Sequence, residues 1–172
     1  MESFRKTRGN QLEEIIKTQQ FVIHNQLPGL NEYVAACRAH ATKGNAMKKE
    51  AEALIAWEIR LGSIKPVESP AFILFSWLEP DWRRDADNIA FAKKFILDAL
   101  VTQKILKNDS RKEYVLGFFD FFPLPQKERS MVGVEILELT GKMKPSDAFQ
   151  SVMAYIAEDM QKKKKNRAQG AA

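Results

Sequence analysis

Carboxylates and basic side chains crowd into one short stretch near the middle of the chain. Asp85 and Asp87 are separated by one residue, lie directly behind Arg83 and Arg84, and open an apolar segment with helical spacing. If this stretch is extended, side chains two residues apart point to the same side. Two neighbouring carboxylates repel unless a cation neutralises them, and Mg²⁺ prefers such oxygen ligands. The pattern therefore suggests a magnesium site that faces a phosphate backbone.

A third carboxylate, Asp109, follows the helix-patterned segment, and Asn108 stands beside it. Asp109 could fold back to complete the site, and Asn108 could add a neutral oxygen ligand. The alternative is structural, because an Asp before a helix commonly caps it and Asn-Asp-Ser is an ordinary turn sequence. Taken alone, these residues favour capping and turn formation over a metal site.

Lys94 is the basic residue whose spacing from the carboxylates fits a shared helix face. It lies seven residues after Asp87, which is two helical turns or roughly 10 Å along the axis if one helix contains both. Such a lysine could hold a phosphate or stabilise charge in a transition state. The alternative is an ion pair with Asp98 at position i+4.

The elements that must position these residues follow from the apolar periodicity. Continuous or alternating apolar runs predict strands at 21–23, 71–78, 112–122 and 131–139, the last two joined as a hairpin through 123–127. Helical spacing predicts helices at 51–61, 88–106 and 144–162, with Asp87 or Asn88 as the N-cap of the second, and residues 38–49 are predicted as a basic loop. The order β-α-β-α-β-β-α predicts an α+β fold: a small mixed sheet of about four strands packed with helices.

Size and composition indicate a single domain over all 172 residues, with a net charge of +5 that suits a nucleic-acid partner. We expect residues 1–19 to be a polar extension and the basic tail 163–172 to be disordered. Cys37 is the only cysteine, which excludes an intrachain disulfide and fits a reducing compartment. No apolar run is long enough to span a membrane. We therefore expect a soluble, cytoplasmic protein with no membrane partner and no organic cofactor.

The ordered set of residues resembles a known nuclease family. The set comprises Arg83-Arg84-Asp85-Ala86-Asp87-Asn88, Lys94, Asp98-Ala99-Leu100 and Asn108-Asp109. It resembles the motif of the RusA-like crossover junction endodeoxyribonucleases, which are Holliday junction resolvases of phages and prophages. The similarity is densest over residues 83–109, and the ordered combination is more specific than any of its parts.

The resemblance implies a site and an activity. Asp85, Asp87 and Asp109 would be the magnesium-binding catalytic carboxylates, Mn²⁺ would substitute for Mg²⁺, and Lys94 would be the catalytic lysine. The family acts as a homodimer that cuts two opposed strands of a four-way junction in a bacterial host. In this chain the stretch before Asp98 is about three residues longer than in the family, so Lys93 remains a candidate for the lysine. Asn108 replaces the first acid of the family's late pair.

Six basic residues are candidates for contacts to DNA: Arg83, Arg84, Lys93, Arg38, Lys43 and Lys48. Solvated or carboxylate-paired side chains are the alternative for each of them. Two rival functions stay open as well. One is a branched-DNA-binding protein without catalytic activity, and the other is a metal-dependent nuclease of flaps or other branched DNA.

Overall fold

The computed structural model describes residues 16–108, 114–127, 129–140 and 145–169, and in the last helix it describes the side chains of residues 147–161. The described elements, in chain order, are β1 (Ile16–Ile23), α1 (Leu30–Ala39), α2 (Ala41–Leu61), β2 (Ala71–Leu78), α3 (Ala86–Ala90), α4 (Lys93–Thr102), β3 (Val115–Phe121), β4 (Met131–Leu139) and α5 (Pro145–Gln169). The predicted α+β class is confirmed.

The four strands form one mixed sheet in the order β1-β4-β2-β3. β2 and β3 are parallel, whereas β4 is antiparallel to both β1 and β2. The predicted hairpin of the last two strands is wrong, because β2 lies between them. Parallel neighbours need a long crossover, which α3 and α4 provide between β2 and β3. The connection from β3 to β4 instead passes the carboxyl end of β2, where the Gln126 N–H donates to the Glu79 carbonyl at 3.1 Å.

β2 is buried on both faces, as its unbroken apolar run predicts. Ile73, Phe75 and Trp77 face a core that is shared with the helices from α1 to α4. Phe72 and Leu74 face a second core, to which α5 contributes Ala148, Val152 and Ile156. The sheet is therefore a middle layer, and its carboxyl edge, where β2 and β3 end, is where a loop leads to the candidate carboxylates.

The predicted loop at residues 38–49 is wrong, because this segment belongs to helices α1 and α2. The helices are separated only at His40, whose backbone is extended (φ −171°, ψ 140°) and whose side chain accepts a hydrogen bond from the Thr42 N–H. Alanine, arginine, lysine and methionine, which supply most of this segment, are favourable helix formers. Helix propensity therefore decides the structure of a segment whose polarity suggested a loop.

The predicted helix at 88–106 is present as two shorter helices, α3 and α4, and the first begins two residues earlier than predicted. At the junction the chain winds more tightly: the N–H of Ala92 bonds to the Ile89 carbonyl and the N–H of Lys94 bonds to the Phe91 carbonyl, each three residues back. Past the end of α4, Lys104 adopts a left-handed conformation (φ 59°). This change in winding moves Lys93 and Lys94 away from the face that one continuous helix would present.

Both ends of the described chain are more regular than the sequence suggested. β1 begins at Ile16, inside the predicted polar extension, because alternate residues of this strand reach the two cores. α5 runs to Gln169, seven residues into the tail that the sequence predicts to be disordered. Residues 1–15 and 170–172 lie outside the described part of the chain.

Candidate functional site

Asp85 and Asp87 lie at the start of α3. Asp85 is the N-cap residue, with an extended backbone (φ −72°, ψ 153°), and its carbonyl accepts the Ile89 N–H at 3.0 Å. The condition under which the two aspartates would share one face of an extended segment is not met, because α3 begins at Ala86. The predicted N-cap, Asp87 or Asn88, lies two or three residues too late. The Asp85 side chain makes no capping hydrogen bond, so the capping interpretation does not hold for its carboxylate.

Both carboxylates are exposed. Within the described part of the chain, neither forms a hydrogen bond or an ion pair with another side chain. Two uncommitted carboxylates within one helical turn suit a hard cation, because Mg²⁺ is commonly held by one or two carboxylates and keeps several waters. The donor chemistry of Asp85 and Asp87 therefore fits magnesium.

Arg84 holds the loop behind Asp85 in place. Its guanidinium donates to Glu79 at 3.0 Å and to the Leu27 carbonyl at 3.1 Å, and it lies 3.6 Å from Glu32. Only 13% of its side chain is exposed. The sequence left phosphate binding and carboxylate pairing open for this residue, and the structure shows the pairing. A phosphate contact by Arg84 would require these bonds to break.

The start of α1 packs tightly against the same region. A Cβ atom at Gly29 would lie 2.4 Å from Nη2 of Arg84 and 2.8 Å from the Asn88 carbonyl oxygen, so only glycine allows this approach. The buried Asn88 side chain in turn accepts the Asn31 N–H at 2.9 Å. The loop with Arg84 and the first turn of α3 are thus fixed against the segment that follows β1.

Replacing Arg84 by methionine is expected to lower the free energy of unfolding by about 2 kcal/mol, because Glu79 and the Leu27 carbonyl would lose a partly buried partner. The matched control is Arg83→Met. Arg83 is 86% exposed and pairs only with Asp81 among the described residues, and exposed pairs of this kind contribute about 0–1 kcal/mol. Urea denaturation of both variants measures the difference, and equal losses would contradict the anchoring role of Arg84.

Lys93 reaches the carboxyl edge of the sheet. Its Nζ lies 2.5 Å from Oδ2 of Asp120 on β3, and 5.9 Å from the ring centres of both Phe75 and Phe118. The other carboxylate oxygen of Asp120 accepts the indole N–H of Trp77 at 2.8 Å. The Lys93 side chain is 23% exposed, so its amine is held by a partly buried carboxylate at the end of β2 and β3.

Lys94 faces the opposite way, toward α2. Its Nζ donates to Asp98, which also pairs with Lys48 on α2 at 2.8 Å. Burial works against ionisation of Asp98, but the hydrogen bonds from Lys48 and Lys94 outweigh it and hold its pKa below the usual 3.8. The hydrogen bond between Lys48 and Asp98 also raises the pKa of Lys48. The i+4 ion pair that the sequence offered as the alternative for Lys94 is present within α4, and the pair of Asp98 with Lys48 links α4 to α2.

Asn108 lies at the other edge of the sheet from Asp85. The Ile105 carbonyl, three residues before Asn108, accepts the Val67 N–H, and the Tyr114 carbonyl accepts the N–H of Ala71, the first residue of β2. Both bonds lie where β2 and β3 begin, whereas Asp85 follows the end of β2. A strand of eight residues spans about 26 Å at about 3.3 Å per residue. Ile105, three residues before Asn108, therefore lies about one strand length from the end of β2, where the loop to Asp85 begins.

Asp109, the third predicted carboxylate, lies outside the described residues. On either side of it in the chain, Ile105 and Tyr114 both bond to residues at the edge where β2 begins. In the part of the chain that the structure describes, no group of three Asp, Glu, His or Cys residues is placed to hold a metal ion. Of the three predicted carboxylate ligands, the described part of the chain therefore contains two, Asp85 and Asp87.

The other predicted DNA-binding residues are spread over the helical layer. Arg38 is exposed in the last turn of α1, and Lys43 is exposed on α2. Lys48 is partly buried and pairs with Asp98 and Glu52. Only Arg83 and Lys93 among the predicted basic residues combine proximity to the carboxyl edge with some exposure. Asp120 contacts Lys93 at this edge, and sequence patterns assign no role to it. The only feature that marks it in the sequence is its position as a carboxylate within an aromatic strand.

Comparisons with known proteins give no further assignment. Neither the scan against protein-family models nor the search of curated proteins finds a match for this chain. None of the helices in the described ranges is long and apolar enough to cross a membrane. The function is therefore inferred from the residues of the site and from the resemblance of residues 83–109.

Proposed function

We propose that this chain is a magnesium-dependent endodeoxyribonuclease that resolves four-way DNA junctions in the cytoplasm of a bacterial host. The observation that carries the proposal is the pair of exposed carboxylates, Asp85 and Asp87, which have no internal partner among the described residues. An N-cap aspartate that does not cap leaves its charge available to a ligand. The ordered motif over residues 83–109, which resembles that of the RusA-like resolvases, supports the same conclusion.

The carboxylates define what the chain contributes to the reaction. Asp85 and Asp87 would hold magnesium, and Mn²⁺ has the same preference for oxygen ligands. When bound, the metal would supply an activated water and stabilise negative charge on the scissile phosphate. Arg84 keeps the loop and the first turn of α3 fixed, so that the two carboxylates are positioned before the ligand binds.

Two basic side chains are suited to contacts with the DNA backbone. Arg83 is exposed and could exchange its ion pair with Asp81 for a phosphate. Lys93 is favoured over Lys94 as the catalytic lysine, because Asp120 holds its amine at the edge of the sheet from which the chain leads to Asp85. Lys94 is directed to Asp98 and α2. Such contacts recognise the charge of the DNA backbone, so the affinity for DNA should fall steeply as the salt concentration rises.

The positions of the carboxylates also support action as a homodimer. Asp85 lies beyond the carboxyl edge of β2, and Asn108, one peptide bond from Asp109, lies near its amino edge. If Asp109 serves the same metal, a second copy of the chain must supply it. Two such composite sites in a two-fold dimer would cut two opposed strands, as resolution of a four-way junction requires.

The direct test is cleavage of a synthetic four-way junction, with strand-specific labels, in Mg²⁺ and in Mn²⁺. We expect paired cuts that leave nicked duplexes, and no cleavage of a duplex of the same sequence. A flap substrate run in parallel separates a resolvase from a nuclease of other branched DNA. Tight junction binding without cleavage in either metal would overturn the enzymatic proposal in favour of a branched-DNA-binding protein.

A further inference from the structure

Two large apolar side chains are strongly exposed on the loops that follow β2 and β3, next to the candidate site. Trp82 is 75% exposed and Leu124 is 77% exposed, the highest values for large hydrophobic residues in the described part of the chain. They lie on two different loops, one after β2 and one after β3. The hydrogen bond from the Gln126 N–H to the Glu79 carbonyl joins these loops. The loops that carry Trp82 and Leu124 are therefore joined at the carboxyl edge of the sheet.

The loop that carries Trp82 is held on both sides of the indole. Glu79 binds Arg84 at 3.0 Å and Gln26 at 3.1 Å. The two residues that flank Trp82 in the sequence are also bonded to each other, because the Arg83 N–H donates to the Asp81 carboxylate at 2.9 Å. A side chain on such a constrained loop loses less conformational freedom when it binds a partner. The exposure of Trp82 thus belongs to a preformed surface rather than to a loose segment.

The surroundings of Trp82 indicate the chemistry of its ligand. Its sequence neighbours are charged, and the side chain of Arg83 beside it is 86% exposed. A protein partner would be expected to meet a wider apolar patch. A single aromatic face beside an exposed guanidinium, whose ion pair is with Asp81, matches a nucleotide instead, because the base stacks on the ring and the cation meets the phosphate. Apolar side chains such as Leu124 can also enter between base steps as wedges.

We propose that Trp82 stacks on an unpaired or unstacked base at the branch point of the DNA, with Leu124 beside it as an apolar wedge and Arg83 on the adjacent phosphate. This inference rests on the proposed function for the identity of the ligand and adds how the branch is recognised. A base at the centre of a junction is easier to unstack than one within a duplex, so stacking on Trp82 favours branched over regular DNA.

Intrinsic fluorescence tests the stacking directly, because the three tryptophans differ in exposure. Trp77 is 2% exposed and Trp57 is 56% exposed, so Trp57 on α2 is the matched control for Trp82. Without divalent metal, a single-stranded oligonucleotide and a four-way junction should each quench the emission of the wild type and of Trp57→Phe. The quenching should be lost in Trp82→Phe. The affinity of Trp82→Ala for both DNAs should fall about tenfold, and that of Trp57→Ala should not change.

The outcomes separate this inference from the proposed function. If the wild type cuts junctions but Trp82→Ala binds and cuts like Trp57→Ala, stacking is overturned and the nuclease stands. If both DNAs bind in a Trp82-dependent way but no junction is cut in Mg²⁺ or Mn²⁺, the nuclease is overturned and stacking stands. Absence of any binding to DNA by the wild type overturns both, and would direct attention to a protein partner for this surface.

Discussion

Mixed dimers of Asp85→Asn and Asp109→Asn chains are expected to nick a four-way junction that neither variant cuts by itself. Each substitution removes a proposed metal ligand and should lower cleavage at least about 100-fold. In one chain, Asp85 and the described neighbours of Asp109 lie at opposite edges of the sheet. If each site combines Asp85 of one chain with Asp109 of the other, a mixed dimer retains one complete site and loses the other. One complete site gives a nick rather than paired cuts.

The matched control is a mixture of Asp85→Asn and Asp87→Asn chains. Both residues lie on the same side of the proposed composite site, so each of the two sites would lack one ligand and no nicking is expected. The chains are refolded together, and strand-specific labels on the junction distinguish nicks from paired cuts. Failure of the Asp85→Asn and Asp109→Asn mixture, with an active wild type, would contradict the shared site. Full activity of either single variant would remove that residue from the site.

Replacing Lys93 by methionine is expected to lower the turnover of junction cleavage about 100-fold while junction binding changes little. The amine of Lys93 forms an ion pair with Asp120 at the carboxyl edge of the sheet, where the loop toward Asp85 begins. Replacing Lys94 by methionine should instead leave cleavage within about threefold, because its partner is Asp98 on its own helix and a half-exposed pair of this type contributes about 0.3–0.5 kcal/mol. Single-turnover cleavage and binding measured separately distinguish the two lysines.

A stability control accompanies this comparison, because Lys93→Met leaves Asp120 partly buried without its cation. The double variant Lys93→Met with Asp120→Asn removes that charge and keeps the hydrogen-bond acceptor for Trp77. We expect the double variant to recover the thermal stability of the wild type and to remain defective in cleavage. Recovery of cleavage together with stability would show that Lys93 is structural. Loss of cleavage in Lys94→Met at unchanged stability would make Lys94 the catalytic lysine.

Local patterns predicted those elements that are decided by local physics. The apolar run of β2 identified a strand buried on both faces, since the five successive residues from Ala71 to Phe75 are all buried and alternate between the two faces. The apolar spacing after Asn88 likewise indicated helix. The pattern did not reveal the tighter winding at Phe91 and Ala92, because both α3 and α4 bury an apolar face whether or not the helix is continuous.

Polarity misled where the chain is helical and exposed. The segment at 38–49 was predicted as a loop because most of its side chains are polar. Met47 and Lys48 are partly buried there, and the remainder of that segment on α2 is mostly exposed. A helix of this kind leaves only a weak apolar stripe in the sequence. Its ion pair from Lys48 to Asp98 forms between two helices, and such a partner is invisible until the helices pack.

The sequence by itself determined the α+β class through its apolar periodicity. It also determined the grouping of Asp85 and Asp87 behind two arginines, because neighbouring residues remain neighbours in any fold. Only the tertiary structure decided which charges are already committed. Packing against Leu27 and Glu79 makes Arg84 an anchor, whereas Arg83 stays exposed. The parallel pairing of β2 with β3 brings Asp120 to Lys93, and Ile105 bonds at the other edge, near the start of β2. These relations join residues that are distant in the chain, and they follow from the order of strands in the sheet.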